Sequence, residues 1–397
     1  MTPLLLSHFT ATTCLGRGLA PTRRALEDAA SGLKPCDFET VAIDTWIGEV
    51  AGVDDVRLPA AVAHHDCRNN RLALLGLETD GFADAVRECL GRHGRRRIGV
   101  LIGTSTSGIL ATELAYRRRD PQTGALPADF NYRTTHNSYS VAGFVRELFG
   151  LEGPAAAIST ACSSSAKVFA AAARMIDSGL IDAALVGGVD SLCLTTLYGF
   201  NSLELTSREP CRPYDTDRRG ISIGEAAAFV LLERPPASAA ADAVLLLGAG
   251  ESSDAFHMSA PHPEGLGARL AMTRALATAG IDVDGIDYIN LHGTGTPNND
   301  SAEGKAVAAL FGERVPCSST KGATGHAMGA AGAVEVVIGA LALQHGFMPG
   351  SAQTRQVDPD IALDYLLATR RAPLRRVLSN SFGFGGSNCS LILGRAT

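Results

Sequence analysis

The sequence lacks the marks of a membrane, secreted or disulfide-bonded protein. No apolar run reaches the roughly 18 uncharged residues that a membrane-spanning helix needs. The N-terminal stretch MTPLLLSHFTATT has no basic region before its short apolar run, as a secretory signal would have. Nine cysteines are scattered along the chain without a CxxC pair. Because this pattern is typical of reduced thiols, we expect a cytoplasmic location.

The net charge is also small, and aromatic residues are few. The 397 residues carry a formal net charge of -6, and only 6% of them are aromatic. This weakly acidic balance argues against a broad nucleic-acid-binding surface, so any anionic partner must contact a local basic patch. Hydrophobic residues make up 46% of the chain. At this length, that excludes disorder and predicts two domains or one large domain with two cores.

Short apolar runs alternate with longer helical stretches rich in alanine and glycine, which is typical of α/β proteins. Several runs are continuously apolar, so we expect them in a sheet that is covered on both faces. The predicted strands are 98–102, 155–159, 183–189, 226–232, 244–247, 286–291, 376–379 and 390–393.

The segment RPPASAAAD, residues 234–242, is the predicted boundary between two halves, because consecutive prolines followed by small residues break helix and strand patterns. We therefore predict two domains, 1–240 and 241–397. The halves are weakly alike: in each, an apolar strand leads into a Ser/Thr-rich turn and then an Ala/Gly-rich helix. This likeness supports an internal duplication, although similar composition alone could produce it.

Cys162 lies where an apolar segment ends and a small-residue helix begins, in AAAISTACSSSAKVFAAAARM. Unpaired backbone N–H groups at a helix N-terminus favour a thiolate, so this position predicts a pKa lowered from about 8.5 to between about 3.5 and 7.5. Such a thiol is a nucleophile. The alternative is a small buried hydrophobic residue, the commoner role of an intracellular cysteine.

The second half supplies polar residues that suit such a nucleophile. His292 closes an apolar strand in YINLHGTGTPNND and is followed by glycines and hydroxyl groups. In SSTKGATGHAMGAAGAVE, Lys321 and His326 flank a Gly-rich entry to a helix that carries Glu335. A neighbouring cation or carboxylate tunes the pKa of a buried imidazole. Each of these residues taken alone is more often structural.

Four motifs occur together in one order: STACSSS, HGTGTP, KGATGH and the C-terminal NSFGFGGSN. This set closely resembles the elongating type I/II β-ketoacyl-acyl-carrier-protein synthases of the thiolase superfamily. The similarity continues through GRHGRRRIGVLIGTSTSG, CRPYDTDRRGISIGEAAAFVLLE and SSDAFHMSAP. The resemblance implies an α/β thiolase-type fold, with two similar α/β halves in a five-layered αβαβα arrangement that usually forms a homodimer.

The resemblance also implies roles for the catalytic residues. Cys162 matches the nucleophile, His292 and His326 match the two catalytic histidines, and Lys321 matches a lysine that helps set the charge of the site. Glu335 matches the carboxylate behind that lysine.

Further positions match the family's binding and gating residues. Phe384 matches a gate residue whose backbone N–H joins that of Cys162 in an oxyanion hole. Its flanking glycines would let the aromatic ring swing, although a tight turn before the last strand is an alternative. Thr294 and Thr296 are the implied phosphopantetheine contacts, and Thr106 and Phe200 are the implied acyl-pocket residues. Arg68 and Arg71 are the expected docking residues for an acidic carrier protein, and Arg117, Arg118 and Arg119 are a second candidate.

The implied reaction is a decarboxylative Claisen condensation of an acyl-cysteine with malonyl-acyl carrier protein, giving a 3-oxoacyl-carrier protein in fatty-acid or polyketide chain elongation. Two imidazoles suit the enolate formed by loss of carbon dioxide. The resemblance implies no metal and no tightly bound cofactor, since the phosphopantetheine arm of the acyl carrier protein carries the substrate. The expected partners are that carrier and a second synthase subunit, either identical or related.

Related classes are disfavoured by the residues present. A silent chain-length-factor subunit would lose the nucleophile, whereas Cys162, His292 and His326 are all present. A type III initiating synthase carries an asparagine where His326 stands, and thiolases lack the HGTGTP and KGATGH pair, so the two histidines favour elongation. Within the elongating class, an atypical ATTCLGRG start, a short LYGFNSLELTSREPCRPYD connection and Thr106 depart from housekeeping synthases. These departures favour a specialised synthase of aryl polyene or pigment type with a heteromeric partner, while ordinary fatty-acid elongation competes with it.

Overall fold

The computed structural model describes residues 1–237 and 240–396, which form a mixed α/β fold. The strands are β1 (Leu4–Thr13), β2 (Gly16–Arg17), β3 (Lys34–Pro35), β4 (Trp46–Gly48), β5 (Ile98–Gly103), β6 (Ala155–Ile158), β7 (Ala183–Asp190), β8 (Ile223–Gly224), β9 (Ala226–Glu233), β10 (Val244–Ser253), β11 (Tyr288–Asn290), β12 (Cys317–Ser318), β13 (Phe347–Met348), β14 (Arg370–Arg371), β15 (Arg376–Gly383) and β16 (Ser387–Arg395). The helices are α1 (Leu19–Glu27), α2 (Arg68–Leu77), α3 (Phe82–His93), α4 (Ile109–Arg117), α5 (Ser140–Leu148), α6 (Ser164–Asp177), α7 (Leu194–Ser202), α8 (Leu266–Ala279), α9 (Pro297–Phe311), α10 (Lys321–Thr324) and α11 (Ala331–His345).

The main sheet repeats one strand pattern in its two halves. Its order is β12-β11-β15-β16-β10-β1-β9-β7-β5-β6, with β2 paired to β1. Outward from the centre, the first two pairings in each half are antiparallel and the next two are parallel. The halves join where β1 pairs antiparallel with β10. This repeated topology supports the internal duplication.

Three layers of helices and the two halves of the sheet stack alternately to give five layers. Between the halves, α6 and α11 form the central core with both parts of the sheet. Helices α2, α3 and α5 cover the outer face of the N-terminal half, and α8 and α9 cover that of the C-terminal half. A Cβ at Gly332 of α11 would lie 2.7 Å from the backbone nitrogen of Ala166, so α6 and α11 approach too closely there for a side chain.

The sequence pattern found all eight strands that it predicted. β5, β7 and β9 are buried along their whole length, as their continuously apolar runs require. The central strand β1 was not predicted, because polar residues interrupt the short apolar run at its start. The two long strands that flank β1, β9 and β10, come from far along the chain, and local periodicity does not reveal such pairings.

The predicted domain boundary lies between the two halves of the sheet. β9 ends at Glu233 and β10 begins at Val244, so segment 234–242 connects the halves. Residues 238 and 239 of that segment lie outside the described residues, and the boundary at residue 240 stays a prediction. One helical stretch, Met328–His345, has the length and mean hydropathy of a membrane span, but 89% of it is buried inside the protein, as expected of a core helix.

Candidate active site

A sharp turn between β6 and α6 presents Cys162. β6 ends at Ile158, and Ala161 adopts a left-handed backbone conformation (φ 52°) immediately before the cysteine. Such a conformation costs a residue with a Cβ about 1–2 kcal/mol, so surrounding contacts must hold it. Within the turn, the Thr160 N–H donates to Ser164 Oγ at 2.9 Å. The buried thiol therefore lies on a strained elbow at the start of a helix.

Two histidines from the other half of the chain meet this sulfur. His326 Nε2 lies 3.0 Å from Cys162 Sγ. The His292 ring lies 5.4 Å from the His326 ring, nearly perpendicular to it. One side-chain atom of each of the three residues lies within 4.8 Å of the others. The structure thus brings together the three residues that the sequence singled out, and their catalytic roles stay a prediction.

Lys321 fixes the proton on His292. Its ammonium group donates to the Glu335 carboxylate and to the His292 carbonyl, and it lies 3.5 Å from His292 Nδ1. Glu335 also accepts a hydrogen bond from Ser381 Oγ at 3.3 Å. Because an ammonium has only protons to donate, His292 Nδ1 must accept and the ring proton lies on Nε2. The Lys321 charge beside the ring also opposes a metal ion at this cluster.

Burial keeps both imidazoles neutral. Burial, and then the charge of Lys321, hold the pKa of His292 and of His326 well below the ordinary histidine value. His326 lowers the pKa of His292 further. Near pH 7, the site therefore holds two neutral rings, each with one N–H to donate and one nitrogen to accept.

Cys162 departs from the pKa prediction. Burial raises the pKa of its thiol to about 11, whereas the helix start predicted a lowered value. The Lys321 charge and the backbone N–H groups of Phe384 and Cys162 itself lower that pKa, but they do not offset burial. The prediction was wrong because a helix start is visible in the sequence and the depth of burial is not. The resting group is a neutral thiol with His326 Nε2 beside it.

A buried carboxylate that the sequence analysis missed shapes the loop carrying His292. Glu303 of α9 accepts four hydrogen bonds, from the backbone N–H groups of His292 and Gly293 at 2.8 Å each, Tyr214 OH at 3.0 Å and Asn380 Nδ2 at 3.1 Å. Burial raises the pKa of Glu303 to about 7, and the two N–H groups act against this rise. Its neighbour Asp300 accepts from the Thr294 N–H at 3.0 Å. The available signal was an acidic pair spaced i, i+3 directly after HGTGTP.

A cavity of about 140 Å³ opens onto the cysteine and both histidines. Phe384 lines it, and its ring lies 5.6 Å from that of Phe200, which also lines it. Thr294 and Thr296 line the cavity as well, with their hydroxyl oxygens 2.9 Å apart. The expected gate, pocket and pantetheine residues other than Thr106 therefore share one cavity, and their roles stay predictions.

Comparison with known families decides the assignment. The family model for the N-terminal domain of beta-ketoacyl synthases matches residues 77–237, and the model for the C-terminal domain matches residues 243–355. Together these matches span more than half of the chain. The chain belongs to the beta-ketoacyl synthase family. The family predicted from the motifs is confirmed, as is the enzyme class, an acyltransferase-type synthase.

Individual relatives of this beta-ketoacyl synthase agree. The mitochondrial 3-oxoacyl-[acyl-carrier-protein] synthase of Arabidopsis thaliana is 39% identical over 63% of this chain, and the match spans 58% of that protein. The 3-oxoacyl-[acyl-carrier-protein] synthase 2 of Rhizobium meliloti (strain 1021) is 38% identical over 75% of this chain and 74% of that protein. A chain of the ketosynthase (ApeO) complex with its chain length factor (ApeC) from Xenorhabdus doucetiae has 38% identity, a TM-score of 0.90 and coverage of 100% and 98%. This likeness to a chain of a ketosynthase complex confirms the thiolase-type fold.

Two of the predicted binding residues are placed differently by the structure. Arg68 is buried and its guanidinium binds Glu225, Glu49 and Asp54, which argues against the predicted docking role. Thr106 does not line the cavity of this synthase: it is buried, and its hydroxyl donates to Asp190 at 2.7 Å.

Arg71 is partly exposed, and its guanidinium binds both Asp66 oxygens at 2.6 Å, so its charge is locally neutralised. Its docking role stays a prediction, as does that of the exposed segment 117–119.

Proposed function

We propose that this synthase condenses an acyl group, held as a thioester on Cys162, with a malonyl group on an acyl carrier protein to give a 3-oxoacyl-carrier protein. The observation that carries the proposal is the 3.0 Å contact between Cys162 Sγ and His326 Nε2, in a cavity that His292 also lines. A silent chain-length-factor subunit would not need this arrangement. A cytoplasmic location is part of the proposal, because free cysteines suit a reducing compartment.

Acyl transfer to the enzyme is the first half-reaction. The Cys162 sulfur attacks the carrier thioester while its proton passes to His326 Nε2, which is neutral and in hydrogen-bonding distance. The bond between the carbonyl carbon and the pantetheine sulfur breaks, and the departing thiolate takes the proton. The backbone N–H groups of Cys162 and Phe384 bind the oxyanion, and each such donor contributes about 10²–10³ in rate.

Condensation follows once malonyl-carrier binds. The bond to the malonyl carboxylate breaks, carbon dioxide leaves, and the electron pair forms an enolate whose oxygen accepts from the Nε2–H group of His292. Lys321 secures this tautomer of His292. The enolate carbon attacks the acyl-Cys162 carbonyl, the carbon–sulfur bond breaks, and the thiolate takes one proton from solvent. Two neutral histidines suit this step better than charged ones, because neutral rings need no counter-charge in a buried site.

The docking surface for the acidic carrier is proposed along segment 206–219. Arg208 and Arg219 are exposed, line one groove with Arg212, and form no ion pair among the described residues. The groove adjoins the catalytic cavity, because Leu205 lines the cavity and the Gly220 N–H donates to the Gly295 carbonyl of the HGTGTP loop. This position suits a carrier that must insert its phosphopantetheine arm past Thr294 and Thr296.

A specialised pathway with a heteromeric partner is the second part of the proposal. Its support is the 38% identity, over the whole chain, with a chain of the ketosynthase and chain length factor complex. The 3-oxoacyl-[acyl-carrier-protein] synthases, at 38–39% identity over shorter matches, support ordinary elongation equally by identity alone. Condensation assays with saturated and aryl-unsaturated acyl-carriers decide between the two pathways. Strict preference for saturated chains would overturn the specialised assignment.

The central experiment is intact-mass analysis after incubation with an acyl-carrier protein. The wild type should gain one acyl adduct, and Cys162→Ala should gain none. Cys36→Ala is the matched control, because Cys36 is a partly exposed thiol outside the cavity and the adduct should persist in it. An adduct that survives in Cys162→Ala, or a wild type that forms none, would refute the proposed nucleophile.

A further inference from the structure

A buried carboxylate outside the proposed reaction lies behind the active site. Asp190 is the last residue of β7 and is 1% exposed. Its Oδ1 accepts four hydrogen bonds from the segment that follows β5: Thr104 Oγ1 at 2.8 Å, Ser105 N–H at 2.7 Å, Thr106 N–H at 2.8 Å and Thr106 Oγ1 at 2.7 Å. Burial raises the pKa of Asp190, and these four donors act against that rise because they favour the ionised carboxylate, whose hydrogen bonds are about twice as strong as neutral ones. The carboxylate therefore ties segment 104–106 firmly to β7.

The other oxygen of Asp190 faces the segment that follows His326. A Cβ at Gly329 would lie 2.8 Å from Asp190 Oδ2 and 2.7 Å from Ser105 Oγ, so both groups press against this glycine. Oδ2 has no hydrogen-bond partner among the described residues. Only a residue without a side chain allows the turn between His326 and α11 to approach so closely.

The same cluster contacts the nucleophile elbow. Ser105 Oγ donates to the carbonyl of Ala161 at 3.4 Å, directly before Cys162. Ser107, Ala161 and Met328 all have positive φ, between 46° and 52°. Such residues persist only where surrounding contacts over-determine the backbone. These three strained positions lie in the three chain segments that Asp190 and Ser105 connect.

We propose that Asp190 is a positioning residue of the active site: it holds the segment after β5 against the Cys162 elbow and the turn that follows His326, and thereby sets the contact between sulfur and imidazole. The inference rests on the proposed function, because the contact between Cys162 and His326 needs to be set only if Cys162 is the nucleophile. Asp190 touches no substrate position, since it does not line the catalytic cavity.

The charge of Asp190 provides a readout that a purely structural role would not change. The charged or titratable groups around the thiol are Lys321, which lowers its pKa, Asp190, which raises it, and the two histidines His326, in contact with the sulfur, and His292, within 4.8 Å. Removing the Asp190 charge while keeping its shape should therefore make Cys162 more reactive toward an alkylating agent, even though condensation becomes slower.

The test is Asp190→Asn, with iodoacetamide alkylation of Cys162 followed by intact mass across pH. We expect alkylation at pH 7 to become roughly threefold faster or more, because a nearby negative charge disfavours thiolate. The kcat for condensation should fall about tenfold while KM for the carrier is unchanged, since misplacing reactive groups by a fraction of an ångström costs rate rather than docking. Glu233→Gln is the matched control, a buried carboxylate at the end of the neighbouring strand β9, and it should leave the alkylation profile unchanged.

Two further variants keep the test decisive if Asp190→Asn does not fold. Thr106→Val removes one donor and retains the charge, and Ser105→Ala removes the contact with Ala161. Both should lower kcat for condensation and leave the pH dependence of alkylation unchanged. Wild-type kcat in both variants, or an Asp190→Asn protein with the wild-type alkylation profile and kcat, would overturn the role of Asp190. Absence of condensation in the wild type itself would instead refute the proposed function, and the alkylation comparison would still test Asp190.

Discussion

Arg68 offers a sharp test of the difference between a docking residue and a structural one. Its guanidinium donates to both oxygens of Glu225, at 2.7 and 3.0 Å, and to Asp54 at 2.7 Å. The Glu225 side chain is fully buried and also accepts the backbone N–H groups of Val50 and Leu192, each at 2.9 Å. Arg68→Gln would leave this carboxylate without its cation in the protein interior.

The expected loss of stability in Arg68→Gln follows from the burial of both Arg68 and Glu225. Removing one member of a buried ion pair costs about 3–5 kcal/mol, because the remaining charge is uncompensated. The contribution of Asp54 is small, because its side chain is 74% exposed and such pairs contribute about 0–1 kcal/mol. The free energy of unfolding of Arg68→Gln should therefore fall by about 3–5 kcal/mol, while KM for the acyl carrier stays within a factor of about two, since the side chain does not reach the surface.

Urea titration at fixed protein concentration measures the loss, and condensation assays measure KM for the carrier. Arg71→Gln, one helical turn away and paired with partly exposed Asp66, is the control and should lose at most about 1 kcal/mol. Pairing Arg68→Met with Glu225→Gln should recover part of the stability, because no buried charge remains. A stability change below about 1 kcal/mol in Arg68→Gln, together with a raised KM, would contradict the structural role and restore the docking role.

Three more predictions concern the reaction and its groups. Cys162→Gln should retain malonyl decarboxylation without condensation, measured as carbon dioxide release with no 3-oxoacyl product; loss of both would show that the histidines need the thiol. Lys321→Met should slow decarboxylation by about 10²–10³ through loss of the fixed His292 tautomer, whereas the acyl adduct by intact mass should still form; an unchanged decarboxylation rate would contradict this. Alkylation of Cys162 should rise with pH toward an inflection near about 11, because burial favours the neutral thiol, and an inflection below 8 would show a stabilised thiolate.

The sequence was informative wherever local pattern decides structure. Continuous apolar runs predicted β5, β7 and β9 because a strand covered on both faces tolerates few polar side chains. The resemblance of HGTGTP and KGATGH to the synthase motifs implied that His292 and His326 belong to one site, and the structure brings them to the same sulfur.

Sequence reasoning failed where the deciding contact is distant along the chain. Arg68 and Arg71 share a helix face at i, i+3, but Glu225, which lies 157 residues away, turns Arg68 into the interior. Burial raises the pKa of Cys162 more than the backbone N–H group at its helix start lowers it, and the depth of burial is not visible in the local sequence. Asp190 and Glu303 were missed for a related reason: half of the hydrogen-bond donors to each carboxylate are backbone N–H groups, whose positions cannot be read from residue type.

The two repeated halves of the sheet contribute different reactive groups to one site. β6 with α6 and β12 with α11 occupy equivalent corners of the duplicated pattern, at the two outer edges of the sheet. The first corner supplies the sulfur of Cys162, and the second leads to Lys321 and His326. Neither repeat by itself contains a complete set of reactive groups, so a polypeptide cut between them should regain turnover only when both fragments are mixed and reassociate.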